Sequence, residues 1–262
     1  MLDFLKDITF KANDVVLRAV DILMRNYISI AGLCFLLFVT SNLSSFLALY
    51  LDSSNYFIKV LLLLVFVGLY FGLQLVLLKR TIFLAKDEKS HVFKDYLPTV
   101  SQFCYYIVGL LFYSLIAFVV YLIMYVLLFP LLFLGVNMQS VQTEVHPLLT
   151  GLVMMFILIR ITFFPFFILE NGFNSFKSYR FSLAMTKGNV LTLLIIFAIV
   201  ASTHLLQIAA EYLGYSLVSW ILSLIKAFVI IPVVGVVMSI VYIDMMKAYK
   251  GGSDPSVIDN II

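Results

Sequence analysis

The chain has 262 residues, of which 63% are hydrophobic and 12% are charged, and its formal net charge is +3. Soluble globular domains contain about 45–50% apolar and about 25% charged residues. A soluble fold of this length has no interior large enough for so many apolar side chains. The composition therefore excludes a soluble protein and predicts a polytopic membrane protein.

Six stretches are apolar and long enough to cross a hydrocarbon core of about 30 Å, which takes roughly 20 helical residues. We predict membrane spans at 27–51, 57–79, 101–130, 148–169, 190–212 and 220–243. Proline removes a backbone donor from a helix interior, so we expect Pro130 to kink or end the third span. Pro165 and Pro232 should kink the fourth and sixth spans. The predicted fold is an all-α membrane protein, a six-helix transmembrane bundle.

The distribution of the seventeen Lys and Arg residues predicts the orientation of the spans. Four precede the first span, five lie in the second loop, three in the fourth loop and two in the tail. The opposite side carries only Lys59, while Arg160 and Lys226 lie inside spans. Cytoplasmic loops carry an excess of Lys and Arg. We therefore predict that both termini are cytoplasmic, in a bacterial cytoplasmic (inner) membrane.

The cytoplasmic segments before spans one, three and five are amphipathic. In the first segment, Asp14 and Arg18, like Asp21 and Arg25, have the i,i+4 spacing of helical ion pairs, opposite an apolar face. We predict interfacial helices at about 3–25, 90–100 and 174–187. The third begins at an Asn and ends at a Gly, the residues favoured at those two ends of a helix.

An interfacial helix, an outward span and a returning span follow one another three times, which predicts a three-fold hairpin repeat. The alternative is that any cytoplasmic loop beside apolar spans looks amphipathic. The predicted domains are an N-terminal amphipathic helix at 1–26, a transmembrane domain at 27–244 and a cytoplasmic tail at 245–262. Residues 1–26 contain no long apolar core, so we expect no cleavable signal peptide.

The fourth span and the segment after it carry a set of motifs that continues at the end of the last span. The set is an Arg in the span, a Phe-x-Pro, a Glu at the end of the span, a Thr-Lys-Gly-Asn and a final Tyr-x-Asp. The residues are Arg160, Phe163, Pro165, Glu170, Thr186, Lys187, Gly188, Asn189, Tyr242 and Asp244. This pattern resembles the bacterial glycerophosphoryl diester phosphodiesterase membrane domain and the related YciC-like membrane proteins. The chain departs from it at Phe181-Ser182, where the family usually has Arg-Ser.

The resemblance implies the membrane part of that family and not its catalytic activity. In the phosphodiesterases, a soluble catalytic barrel follows the membrane domain. Only eighteen residues follow Asp244 in this chain, and the catalytic His and Glu of the barrel have no counterpart among them.

Arg160 is the first candidate functional residue, because a charge in the middle of a span costs about 2.5–3.5 kcal/mol and normally faces the bundle interior. We expect it to pair with a carboxylate or a backbone carbonyl, with Asp244 or Glu170 as the preferred acid. Two interpretations stay open. Arg160 either forms an anion or headgroup site or only stabilises the bundle.

A second candidate site lies in the predicted outer half of the fifth span. His204, Gln207 and Glu211 have the spacing i, i+3 and i+7 of one helix face, and Lys226 should lie at comparable depth in the sixth span. Such a cluster would relay protons or bind an anionic solute. Alternatively, Glu211 lies at the water boundary and Lys226 extends to the headgroups.

Two further features have mainly structural interpretations. Cys34 and Cys104 occur singly in apolar stretches, which predicts buried, inert thiols. Gly68 and Gly72 form a Gly-x-x-x-Gly, which predicts close helix packing inside the molecule rather than dimerisation.

The chain has no Gly-rich phosphate loop, no metal-ligand spacing and no nucleophile–base pair, so we expect no catalytic residues, no metal and no cofactor. No basic patch with interleaved aromatic residues suggests nucleic acid. The sequence predicts a non-enzymatic membrane protein that acts through lipid, chiefly anionic headgroups, or through partner proteins. Transport of a small solute or a lipid is the alternative.

Overall fold

The computed structural model describes residues 10–50, 56–87, 93–130 and 141–249. Its secondary structure is helical, and these ranges contain no strand. The α-helices, numbered in chain order, are α1 (Ala12–Tyr50), α2 (Tyr56–Ala85), α3 (Val100–Leu128), α4 (His146–Ile161), α5 (Phe164–Asn171), α6 (Ser175–Thr186), α7 (Val190–Tyr212), α8 (Ser216–Ile225) and α9 (Ile231–Ala248).

Six helical stretches of the described residues are long and apolar enough to cross a membrane. They are Ala12–Leu43, Tyr56–Ala85, Lys94–Leu128, His146–Asn171, Val190–Tyr212 and Ser216–Ala248. The fourth combines α4 with α5, and the sixth combines α8 with α9. The prediction of an all-α protein with six spans is confirmed for this part of the chain, which is a multi-pass membrane protein.

The first helix is longer than a membrane span requires. α1 has 39 residues, which at the α-helical rise measure roughly 58 Å, whereas a hydrocarbon core is about 30 Å thick. Its helical geometry is interrupted at Asn26, where φ is −124° and ψ is 15°. The interruption coincides with the predicted boundary between the N-terminal helix and the first span. The placement of the first part in the membrane plane stays a prediction.

The second predicted interfacial segment is not an α-helix where the structure describes it. Phe93–Tyr96 forms a single 3₁₀ turn, and α3 begins at Val100. Pro98 disfavours helical geometry at the residue before it, which separates the two elements. Thr99 and Gln102 then form a reciprocal cap. The Thr99 hydroxyl accepts from the Gln102 backbone N–H at 3.3 Å, and the Gln102 side-chain oxygen accepts from the Thr99 backbone N–H at 2.9 Å.

The third predicted segment is a helix with the expected ends. The side chain of Asn174 accepts a hydrogen bond from the backbone N–H of Lys177 at 2.9 Å, and α6 follows from Ser175. Gly188, just beyond the end of α6, has a φ of +85°, which favours glycine. The helix is confirmed, while its interfacial placement and the three-fold repeat stay predictions.

The three prolines lie where their spans end or change geometry. α3 ends at Leu128, before Pro130, and a turn separates α4 from α5 just before Pro165. In the sixth span, a wider π-helical turn at Lys226–Ile230 precedes Pro232. Pro232 has no N–H to donate to the carbonyl of Phe228, and the Tyr27 hydroxyl donates to that oxygen at 3.0 Å.

The chain forms two compact units, which we describe separately. One contains Cys104–Leu194, and the other contains Thr9–Phe103 with Ile195–Tyr249. In the second unit, α1, α2 and α9 pack against one another. The buried hydroxyls of Ser239 and Thr81 are hydrogen-bonded at 2.9 Å between α9 and α2. In the first unit, α6 packs against α4 and α5.

The predicted close packing at Gly68 and Gly72 is wrong. A Cβ added at either glycine would meet no atom of the described residues within 4 Å, and α2 makes its tight contact further along. That contact is at Gly235 of α9, where an added Cβ would lie 3.2 Å from Thr81 Cγ2.

The prediction of two buried thiols is confirmed for Cys34, which is buried, and is wrong for Cys104, which is exposed.

Candidate functional site

Arg160 lies in the last turn of α4 and not in the middle of a continuous helix. Its Nη2 donates to the backbone carbonyl of Leu183 in α6 at 3.0 Å. The prediction of a carbonyl partner is therefore confirmed. A cation in the last turn of a helix is also stabilised by the negative end of the helix dipole. Glu170, near the end of α5, is exposed.

Hydroxyls of α6 satisfy the backbone at the interruption between α4 and α5. The Arg160 carbonyl oxygen accepts from Ser182 Oγ at 2.8 Å and from Thr186 Oγ1 at 3.2 Å. The backbone N–H of Phe163 donates to Ser182 Oγ at 3.2 Å. Ser182 therefore bonds to residues on both sides of the helix end. Water cannot reach these backbone groups inside a membrane, so the hydroxyls of α6 supply the hydrogen bonds that water would otherwise make.

These hydroxyls belong to a buried polar stripe along α6, which we call the hydroxyl seam. Its members recur at i, i+3, i+7 and i+11, and they are Ser175, Ser178, Ser182 and Thr186. Ser175 Oγ donates to the carbonyl of Tyr105 in α3 at 2.5 Å. The sequence interpretation assigned no role to these hydroxyl residues. The helical spacing of four hydroxyl residues was the signal that could have identified the seam.

Tyr179 joins α6 to α3 beside the seam. Its hydroxyl donates to the backbone carbonyl of Gly109, and the Phe164 ring packs against its ring with centroids 4.8 Å apart. Burial raises the pKa of the Tyr179 phenol. The hydroxyl therefore stays protonated at neutral pH and remains a donor.

Asp244 forms an ion pair with Arg18 of α1. The predicted local pair between the side chains of Asp14 and Arg18 is therefore wrong, since both terminal nitrogens of Arg18 donate to the Asp244 carboxylate. A bidentate Arg–carboxylate pair with better geometry displaces a helical pair worth a few tenths of a kcal/mol. The other predicted pair, Asp21 with Arg25, is present at 2.8 Å.

The second candidate cluster is brought together in part. Lys226, the first residue of the π-helical turn, lies with its Nζ 3.3 Å from Nδ1 of His204. Gln207 is half-buried, and Glu211 is exposed near the end of α7. Within the described residues, no group of His, Cys, Asp and Glu could hold a metal ion.

The first part of α1 has an exposed apolar surface that the sequence interpretation missed. Leu17, Val20 and Met24 are 70%, 39% and 74% exposed, and we call them the α1 ridge. The apolar face opposite the charged residues of this segment includes Val15, Ala19 and Leu23, and these three residues are buried in the protein. The spacing i, i+3 and i+7 puts the three side chains on one helix face, but it does not show whether that face is exposed.

Comparisons of this chain with protein families, with characterised proteins and with solved structures find no match. The resemblance to the phosphodiesterase membrane domain therefore stays a prediction based on its motifs.

Proposed function

We propose that this protein is a non-enzymatic membrane protein that acts through lipid or partner proteins at the cytoplasmic face of a bacterial inner membrane. Both of its termini are then cytoplasmic, as the distribution of Lys and Arg favours. The motifs of the fourth and sixth spans resemble a membrane domain, which agrees with a role in the membrane. The α1 ridge is the observation that carries the proposal.

Lipid is the occupant that the ridge favours. Leu17, Val20 and Met24 are exposed and apolar, and they lie beside the charged side chains of Asp21 and Arg25 on the same helix. A helix that buries one apolar stripe in the acyl region and keeps its charges in water lies in the plane of the interface. The length of α1 agrees, because the part after Asn26 is long enough to span the bilayer alone.

We expect tryptophan probes on the α1 ridge to report the interface of the bilayer. In a Trp220→Phe background, Leu17→Trp and Met24→Trp are reconstituted in nanodiscs with lipids brominated near the headgroup or deep in the acyl chain. Both tryptophans should be quenched most by the lipid brominated near the headgroup. The measurement is the fluorescence intensity of each variant in each lipid.

Two matched tryptophan probes calibrate how quenching depends on depth in the bilayer. Phe35→Trp, at an exposed position after Asn26, should be quenched most by deep bromine. Asp14→Trp, on the charged face, should be quenched by aqueous iodide. If the ridge probes respond to iodide as Asp14→Trp does and to neither brominated lipid, lipid does not cover the ridge and this proposal fails.

Transport is the second candidate function, and the contact between Lys226 and His204 favours it. Lys226 lies ten residues after the start of α8 at Ser216, roughly 15 Å by helical rise, within the sixth candidate span Ser216–Ala248. A lysine beside a histidine inside a membrane can hold and pass a proton. Lys226 also begins a π-helical turn of the sixth span, and such turns occur frequently at functional sites.

For the transport candidate, we expect proton flux into proteoliposomes loaded with a pH-sensitive dye after an external acid step. Lys226→Met should abolish the flux, because it removes the proton donor and replaces it with an unbranched side chain only one atom shorter. Lys59→Met, at the predicted outer end of the second span, is the matched control and should not change the flux. Flux equal to that of empty liposomes would exclude proton transfer through this pair.

A further inference from the structure

We infer that the guanidinium of Arg80 is the centre of a binding site for one anionic phospholipid, between the ends of two spans. The site, which we call the Arg80 site, consists of Arg80 in α2 and of Ser29 and Gly32 in α1. The inference rests on the proposed action through lipid and assigns it a site.

Arg80 and Ser29 lie where two neighbouring helices reach the predicted cytoplasmic side of the membrane. Arg80 is five residues before the end of α2 at Ala85, and Ser29 is three residues after the interruption of α1 at Asn26. The two helices pack against each other within one unit, and Arg80 Nε donates to Ser29 Oγ at 3.0 Å. Since the ends of membrane spans lie near the headgroup region, lipid phosphates are within reach of both side chains.

Arg80 forms its hydrogen bonds with neutral groups only. Besides the bond to Ser29, its Nη1 donates to the hydroxyl of Tyr96, and its Cζ lies 4.6 Å from the centroid of the Tyr96 ring. No carboxylate of the described residues forms an ion pair with it, whereas Arg18 and Arg25 are each paired with an aspartate. A guanidinium without a counter-charge beside a bilayer attracts an anionic headgroup.

The same hydrogen bonds fix the guanidinium and leave donors for a ligand. Arginine has five N–H donors in a planar fork that matches a phosphate, and Nη2 of Arg80 donates to no atom of the residues that the structure describes. The exposed Ser29 hydroxyl accepts from Nε and keeps its own proton, so it can donate to the same phosphate. Because Ser29 and Tyr96 already hold the side chain, binding a phosphate costs Arg80 little rotamer freedom.

An exposed stripe of α1 continues from the Arg80 site toward the interior of the bilayer. Ser29, Gly32 and Leu36 have the spacing i, i+3 and i+7, and all three are exposed. A Cβ added at Gly32 would meet no atom of the described residues within 4 Å. An acyl chain can therefore lie against the backbone at Gly32 and against Leu36 while its phosphate is held at Arg80. Free phosphate would leave this stripe uncovered.

The test is a titration of the purified full-length protein, in neutral detergent micelles, with phosphatidylglycerol. A lipid that binds only the folded state raises the unfolding temperature, and the concentration dependence gives an apparent dissociation constant. We expect Arg80→Gln to weaken binding about tenfold, because it removes charge-assisted hydrogen bonds to the phosphate. Arg80→Lys keeps the charge and loses the planar fork, so it should weaken binding by a smaller factor.

Two further variants retain Arg80 and decide the question if its replacement prevents folding. Ser29→Ala removes one donor to the phosphate and should weaken binding about fivefold. Gly32→Leu should also weaken binding without any change of charge, because a larger side chain occupies the place of the acyl chain. Lys247→Gln is the matched control, since it removes one positive charge from an exposed residue near the end of α9. It should leave the dissociation constant unchanged.

The lipid assignment and the site are tested separately. Stabilisation by inorganic phosphate equal to that by phosphatidylglycerol would overturn the assignment to a lipid, and equal stabilisation by phosphatidylcholine would overturn the preference for an anionic headgroup. The Arg80 site is wrong if Arg80→Gln, Ser29→Ala and Gly32→Leu all bind phosphatidylglycerol like the unmodified protein, or if Lys247→Gln weakens binding as much as Arg80→Gln. The proposed function then survives if the α1 ridge probes are still quenched by brominated lipid, and it fails with the Arg80 site if they are not.

Discussion

Replacing Gly109 with alanine is expected to destabilise the protein by roughly 1–3 kcal/mol, the usual cost of overpacking a filled interior. A Cβ at this position would lie 2.3 Å from Cε2 of the Phe164 ring, a separation that requires the ring or the helix to move. The ring has little freedom, because it also packs against Tyr106 and Tyr179. Movement of α3 would stretch the bond from Tyr179 to the Gly109 carbonyl. The measurement is unfolding by sodium dodecyl sulfate in mixed micelles.

Gly151→Ala is the matched control, because a Cβ there meets no atom within 4 Å in the part of the chain that the structure describes. It should be neutral or slightly stabilising, since alanine favours the helix over glycine by roughly 0.5–1 kcal/mol. Phe164→Leu added to Gly109→Ala should restore part of the loss by removing the clashing ring. Equal stability of Gly109→Ala and Gly151→Ala would show that α3 and α5 do not pack as described.

Removing the two hydroxyls that contact the Arg160 carbonyl is expected to have a similarly large effect. Ser182→Ala with Thr186→Val takes away both side-chain donors to this oxygen and the acceptor for the Phe163 N–H. A buried polar group left without a partner costs about 1–3 kcal/mol. The double variant should therefore lower the free energy of unfolding in mixed micelles by roughly that amount for each group.

Ser178→Ala is the control within the same seam. Ser178 is as buried as Ser182, but its hydroxyl donates to the Asn174 carbonyl, which also accepts from the Ser178 backbone N–H. That carbonyl keeps a partner after the substitution, so the loss should be small. A loss equal to that of the double variant would mean that volume, and not hydrogen bonding at Arg160, determines the effect.

Much of the candidate site could be predicted only in outline. The carbonyl partner of Arg160 follows from the cost of an unpaired guanidinium in lipid, which applies to any fold. The sequence does not predict that this partner is the Leu183 carbonyl, because which carbonyl lies near Arg160 depends on where α6 packs. Asp244 was recognised as a candidate for pairing, but its partner Arg18 lies 226 residues away in the chain.

The sequence by itself determined the features that depend on local chemistry and on the solvent. Six apolar stretches need lipid, prolines interrupt helices, and Asn174 and Gly188 define the limits of α6, each through an interaction within a few residues. Tertiary structure alone decided the inward face of α6, the contact of Gly109 with Phe164 and the exposure of the α1 ridge. In a chain so rich in apolar residues, helical periodicity cannot distinguish a face that meets protein from one that meets lipid, because both are apolar. Buried polar atoms distinguish the two faces, because a hydroxyl inside a membrane must point toward a hydrogen-bond partner in the protein. The position of that partner is fixed only when the helices pack.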